Sequence, residues 1–263
     1  QIYKEAAGKT GSFEGETKYS DSQQHIYDYT KSFAEQVEDY KNGKIPERDS
    51  LLIGGTPEVF KKIGLNSLPV TINQKHVDYA LNGTKDIDHH IGEAMLSQLP
   101  EAIKDPVAVM RSQTNPNRIV ALLEFTYNGK NIVAPFEIDG YGIQNSIRID
   151  SNAIVSVYAK DNAISKQLKK AIQDEANGKI SLFYLNKNKA DVLLQRAGLQ
   201  LPGRLFQNNG FTHSIREKGA NVNTRFESVT ETQQFKRWFG DWKNNPKKAS
   251  KVVNDDGTPK VVY

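Results

Sequence analysis

A change of period at Asp105-Pro106 constrains this chain more than any other feature. Upstream of it, apolar residues recur at three and four, as on amphipathic helices; downstream, PVAVMRS, RIVALLEFT and KNIVAPFEI are β-rich runs with a period of two. The last two runs meet across Tyr127-Asn128-Gly129, and Asn-Gly is the strongest short signal for a two-residue hairpin turn. Helices first and antiparallel strands after them define an α+β chain, here with a mostly antiparallel sheet of four to five strands.

Before the change of period, Ile26, Tyr29, Phe33, Val37 and Tyr40 predict a helical arm ended by Asn42-Gly43. Leu51 to Ile53 reads as a short strand, and Thr56-Pro57 as an N-cap with proline at the first helical position. LPVTI is extended, and Asn73 caps a helix that turns Val77, Ala80 and Leu81 inward. Asp88 is the expected N-cap of a helix holding the histidines, with Ile91, Met95 and Leu99 on one face until Pro100. After the hairpin, DGYGIQNSIRID reads as a glycine-containing loop and NAIVSVYAK as a strand with Ile154, Ser156 and Tyr158 on one face. A helix over 163–176, the strand ISLFYL and a helix over 189–197 follow. These limits give a linker and arm over 1–44, an α+β domain over 45–205, linker composition over 206–224, and a basic, aromatic tail over 225–263.

The charge balance is mild, 35 basic against 31 acidic residues for a net +4, so any affinity for nucleic acid has to come from local clustering. The chain has no cysteine, which removes disulfides, thiolate nucleophiles and the commonest structural zinc sites. It has no apolar run of about 18 residues and no secretory leader, so no membrane association is expected. It starts at Gln1, which reads as a segment cut from a longer polypeptide. Oligomeric state has no signature here.

The residues suited to chemistry fall in three places. His89 and His90 are adjacent, and imidazole suits both the base and the acid of RNA cleavage because it titrates near neutrality. Helical phase favours His90, on the flank of the Ile91/Met95 stripe. Ser156, Tyr158 and Lys160 alternate on one strand face, so two hydroxyls and an ammonium can meet one phosphate, with Arg111-Ser112 ending a neighbouring strand. Tyr141, Asn145 and Arg148 lie in the glycine-containing loop, where substrate contacts concentrate. The same residues are also what a plain helix meeting a sheet would show. The histidines have no i+4 partner, so no metal site is expected.

Three blocks, LLIGGTPEVFKKIGLNSLPVTI, HHIGEAMLSQLPEAIKDPVAVMRS and NAIVSVYAK followed by LFYLNKNKA, resemble the C-terminal domain of phage MuF-type head proteins and of polyvalent phage and mobile-element proteins. The resemblance runs over roughly 33–202 and favours His89 over His90. It implies a layout similar to nucleases of the barnase/EndoU/colicin/RelE type, and a metal-independent ribonuclease of a phage effector or toxin. In that reading His89, His90 and Tyr158 are catalytic, and Arg111, Ser112, Arg148, Ser156 and Lys160 bind substrate. Attack by the 2′-hydroxyl would leave a cyclic phosphate and need no cofactor. RNA, an immunity protein or a phage protein are the implied partners, in the cytoplasm of a host or target bacterium or on the virion. The tail SVTETQQFKRWFGDWKNNPKKASKVVNDDGTPKVVY resembles the entry segment of ADP-ribosyltransferase domains, but stops at Tyr263 before the His-Gly motif that holds NAD in that family. The competing reading is a non-catalytic adaptor that joins a phage head or delivery module to such a transferase.

Overall fold

Ser32 and Glu35 form a reciprocal capping box that starts α1 (Phe33–Lys41) and sends Phe33 and Val37 into the core. The computed structural model describes residues 26–83, 90–200 and 210–220, with Val222 and Phe239. After α1 come β1 (Ser50–Gly55), α2 (Glu58–Lys62), β2 (Pro69–Asn73), α3 (Gln74–Asn82), α4 (Gly92–Ser97) and α5 (Leu99–Ala102). The strands β3 (Ala108–Arg111), β4 (Arg118–Tyr127), β5 (Lys130–Gln144), β6 (Ile147–Ile154) and β7 (Tyr158–Lys160) follow. A π-helical segment (Ala163–Leu168) runs into α6 (Lys169–Ala176), and β8 (Leu182–Leu185) and α7 (Lys187–Arg196) complete the order.

The strands form one sheet in the order β1-β2-β6-β5-β4-β3-β8, with β7 paired to β5 beyond the end of β6. Every pairing is antiparallel except β2 with β6. The α+β class is as the pattern predicts, but the sheet has eight strands, not four to five. Part of the difference is the stretch DGYGIQNSIRID, which is no loop. It is the far half of a long hairpin, closed by Asn145 and Ser146 at φ 48° and 64° and paired from Gly140–Ser151 to Gln144–Ile147. Its glycine at 142 serves close approach: a Cβ there would lie 2.9 Å from Thr71 Oγ1.

The sheet is covered on both faces. Ile119, Ala121, Ile132, Ala134 and Phe136 pack against α1–α5 through Val37, Phe60, Val77, Leu96 and Leu99. The alternate residues Met110, Val120, Leu122 and Val133 pack against Leu168, Ala171, Ile172 and Leu194 of the later helices. This is why RIVALLEFT is apolar without alternation: Ile119 to Leu123 are all buried.

Both sheet edges are closed by hydrogen bonds that an open edge would leave to water or another chain. On β1, the Gln36 side chain imitates a neighbouring strand: Nε2 donates to Leu52 O at 3.0 Å, and Oε1 accepts from Leu52 N at 2.8 Å. On β8, Leu185 N donates to Gly210 O and Thr212 N to Phe183 O. Residues 210–220, which read as linker in composition, thus run as a strap along the domain. Ile215 is buried in the first core, and Arg216 Nε donates to Gly64 O at 2.8 Å.

Three local expectations are corrected. Thr56 does not cap α2; Pro57 holds that position, and the Thr56 hydroxyl donates to Leu68 O at 2.6 Å, fastening the turn between α2 and β2. His90 precedes its helix, which starts at Gly92 after Ile91; the expected cap Asp88 lies outside the described residues. NAIVSVYAK breaks at 155–157, so Ile154 faces the first core while Tyr158 faces the second. The break sits beside Pro135, whose carbonyl accepts from Val155 N but which has no N–H to return.

The arm before α1 is held by Asp39, whose carboxylate accepts from Lys31 Nζ at 2.6 Å, Lys44 Nζ at 2.9 Å and Tyr27 Oη at 2.9 Å. The Lys31 ammonium, then Lys44 and the Tyr27 phenol, hold its carboxyl below the ordinary value of 3.8. A depressed carboxylate stabilises the fold above its unfolded pKa and ceases to as pH falls toward the folded one. The arm is therefore expected to stay docked above about pH 4 and to loosen progressively below it. Hydrogen exchange of residues 27–32 between pH 2 and 6 measures this; unchanged protection throughout would contradict it, and Asp39→Asn should abolish the pH response.

Candidate functional site

A gathering of cationic and hydroxyl side chains lies between the second face of the sheet and the π-helical segment. Register builds it. Arg118 opens β4 on the same face as Val120 and Leu122, and Lys160 follows Tyr158 at the alternate position of β7. Lys166 and Lys170, one helical turn apart, close it from above. The resulting cleft has a volume of about 530 Å³ and is also bordered by Ser112, Pro135, Ser156 and Ser181. Among the described residues no carboxylate borders it, although the whole chain is nearly balanced in charge. Arg118 is bound to Glu137 at 3.0 Å and Lys170 to Asp174 at 3.3 Å. Lys160 and Lys166 make no ion pair among the described residues, and Lys160 Nζ lies 6.0 Å from the centre of the Tyr158 ring.

Burial raises the pKa of the Tyr158 phenol. At neutral pH the group is protonated, and so a hydrogen-bond donor and an acid, not a base.

Of the residues singled out in sequence, Ser112, Ser156, Tyr158 and Lys160 meet in this cleft. Ser112 also serves the β3–β4 turn, where its Oγ accepts from Asn115 N at 3.3 Å. Arg111 borders the cleft, but it pairs with Ile119 of the opposite face, and its Nη1 lies 3.5 Å from Ala220 O of the strap. Arg148 is elsewhere, stacked at 3.9 Å on the exposed Tyr141 ring near the end of the β5–β6 hairpin. Asn145 is a structural clamp: Oδ1 accepts from Tyr27 N at 2.8 Å, and Nδ2 donates to Tyr27 O at 3.2 Å.

The histidine side of the expectation separates from the phosphate side. His89 lies outside the described residues. His90 Nε2 is 2.8 Å from the Tyr127 hydroxyl, with the two rings edge to face at 5.2 Å. Tyr127 packs on the first core and Tyr158 on the second, so the sheet stands between His90 and the cleft. Lys166, Lys170 and Arg118 were not singled out in sequence. Their signals were present: two lysines at i, i+4 opposite the apolar stripe Leu168/Ala171/Ile172, and an arginine in phase with Val120 and Leu122.

Among the described residues, no three His, Asp or Glu side chains gather as a metal set, and no helix is long and apolar enough to cross a membrane.

Fold and cleft together define an α+β domain with helices on both faces of a mostly antiparallel sheet and a cationic slot against one of them. Residues 80–192 match the family described as the phage MuF C-terminal domain. That segment is 113 of the 263 residues, and over it the chain is similar to a MuF-type C-terminal domain. The matched segment contains every residue that borders the cleft, whereas β1 and β2 lie before it. No curated protein and no solved structure matches the chain. The part of the tail that resembles an ADP-ribosyltransferase entry lies, apart from the buried Phe239, outside the described residues.

Proposed function

We propose that this chain is a phage effector segment whose cleft binds the phosphodiester backbone of RNA and cleaves it without a metal ion. The observation that carries the reading is the sorting of charge: Arg118, Lys160, Lys166 and Lys170 around a cleft that, among the described residues, no carboxylate borders. Such a lining suits a polyanion through charge-assisted hydrogen bonds and release of its counterions.

The chemistry is an internal transfer. The ribose 2′-oxygen gives its proton to solvent water and bonds to phosphorus, and the bond to the 5′-oxygen breaks. That oxygen takes up a proton, and the products are a 2′,3′-cyclic phosphate and a 5′-hydroxyl. Tyr158 is placed to give the leaving oxygen its proton, and Lys160 and Lys166 to hold the charge that builds on the phosphate. His90 has no part in this site.

A 5′-labelled RNA incubated with the chain tests the reading. Cleavage is expected to fall at least tenfold in Tyr158→Phe and in Lys160→Ala with Lys166→Ala, and to be unchanged in His90→Ala. Loss in His90→Ala with the cleft variants intact would move the chemistry to the other face. One observation favours the adaptor reading, the separation of His90 from the cleft. That reading requires that the chain neither binds nor cuts RNA.

A further inference from the structure

The shape of the cleft bears on which form of nucleic acid enters it, an inference that rests on the reading above. Its two ends are fixed by register along β5. Arg118 pairs with Glu137 at one end, and Lys160 pairs with Asn131 at the other. Six residues separate Glu137 from Asn131, so at about 3.3 Å per residue the cations are spread over about 20 Å. The cleft, about 530 Å³ in volume and bordered by both strands and helix, is a narrow slot of the size of one sugar-phosphate strand. A duplex is far wider, and the π-helical segment and α6 roof the slot against it.

The chemistry of the walls agrees with the shape. The cations stand on both walls of the slot, with Arg118 and Lys160 on strands and Lys166 and Lys170 on the helical segments. This suits a single phosphate chain running between two surfaces, where a duplex would need one convex basic face. Tyr158 lies in the middle of the floor with its ring partly exposed. The aromatic ring there offers a stacking surface to an unpaired base, and paired bases have no free face to give it.

We infer that the cleft takes a single unpaired strand, threaded between the sheet and the π-helical segment. A slot of about 20 Å spans about six nucleotides at the stacked rise of about 3.4 Å, and fewer when the strand is extended. Lys160 holds one end of this run and Arg118 the other.

The test uses the full chain and 2′-O-methyl RNA, which cannot be cut by 2′-oxygen attack. Fluorescence anisotropy of a labelled strand of about 12 nucleotides is compared with the same strand annealed to its complement. The single strand is expected to bind at least tenfold more tightly. Lys160→Ala with Lys166→Ala should weaken that binding at least tenfold and lower the slope of log affinity against log salt by about 1.4, twice the value of about 0.7 per phosphate contact on single strands. Equal binding of duplex and single strand, with both sensitive to the double variant, would overturn the inference and leave the cleft as a nucleic-acid site. Binding of neither form, or binding indifferent to the double variant, would overturn the underlying reading and the inference with it.

Discussion

Asp49→Ala is expected to lower the stability of the chain by roughly 4 kcal/mol, as three charge-assisted hydrogen bonds at about 1.5 kcal/mol each would suggest. Asp49 is fully buried, and its carboxylate accepts from the Tyr29 hydroxyl at 2.6 Å, Asn145 N at 2.5 Å and Ser146 N at 3.2 Å. Alanine leaves all three donors without the buried acceptor they share. The two backbone N–H groups belong to the turn with positive φ that closes β5 on β6, so the loss acts where backbone conformation is already costly. Because Asn145 also clamps Tyr27, the arm should detach together with the turn. Urea denaturation and hydrogen exchange of residues 27–29 and 145–147 measure both effects. Asn145→Ala, which removes only the clamp, should free the arm at a smaller cost, about 1–2 kcal/mol. A loss below about 1 kcal/mol in Asp49→Ala would show that the turn holds its shape without the carboxylate.

Where local chemistry decides the structure, it is legible in the residues. Asn128-Gly129, at φ 49° and 76°, makes the hairpin its dipeptide predicts, and Asn73 caps α3 through His76 N as expected. Misreadings arise where a distant partner decides. Gly140 and Gly142 look like loop residues; in fact Gly142 lets Thr71 come close, and Thr71 lies 69 positions or more away from either. Polar composition at 210–220 looks like linker, yet the strap spends its polar groups on β8, α2 and the turn after it, while Ile215 goes to the core. For the site, Ser156, Tyr158 and Lys160 were readable because a strand period orders them. Which sheet face they share with His90 was not, since that depends on where the chain between α3 and β3 crosses the sheet. Helical phase within one segment has no information on that choice.

The strap matters because it passes from the edge of the sheet toward the tail, and one side chain governs its attachment. Glu175 lies on α6 with its side chain 5% exposed, an unusual place for a carboxylate, and its i+3 and i+4 spacing from Ile172 and Ala171 puts it on the buried stripe of the helix. Its Oε1 accepts from Ser181 N at 2.5 Å and Leu182 N at 2.7 Å, and its Oε2 lies 3.0 Å from His213 Nε2. His213 in turn has Nδ1 3.0 Å from Glu217 within the strap. One carboxylate thus sets the start of β8 and fastens the strap that covers it. Ser181 also receives Arg111 N on its carbonyl, so the same loop fixes the end of β3 at the rim of the cleft. Glu175→Ala removes three partners at once and is expected to cost about 3 kcal/mol. Amide exchange should accelerate at Ser181 and Leu182, and also at Thr212, whose N–H is bonded to Phe183 O. Glu175→Gln keeps an oxygen for the two backbone donors and should lose far less, which separates the role of the acceptor from that of the charge facing His213. If Thr212 keeps its protection in Glu175→Ala, the strap is held by its bonds to β8 and by Ile215 and Arg216, and the carboxylate serves only the α6–β8 connection.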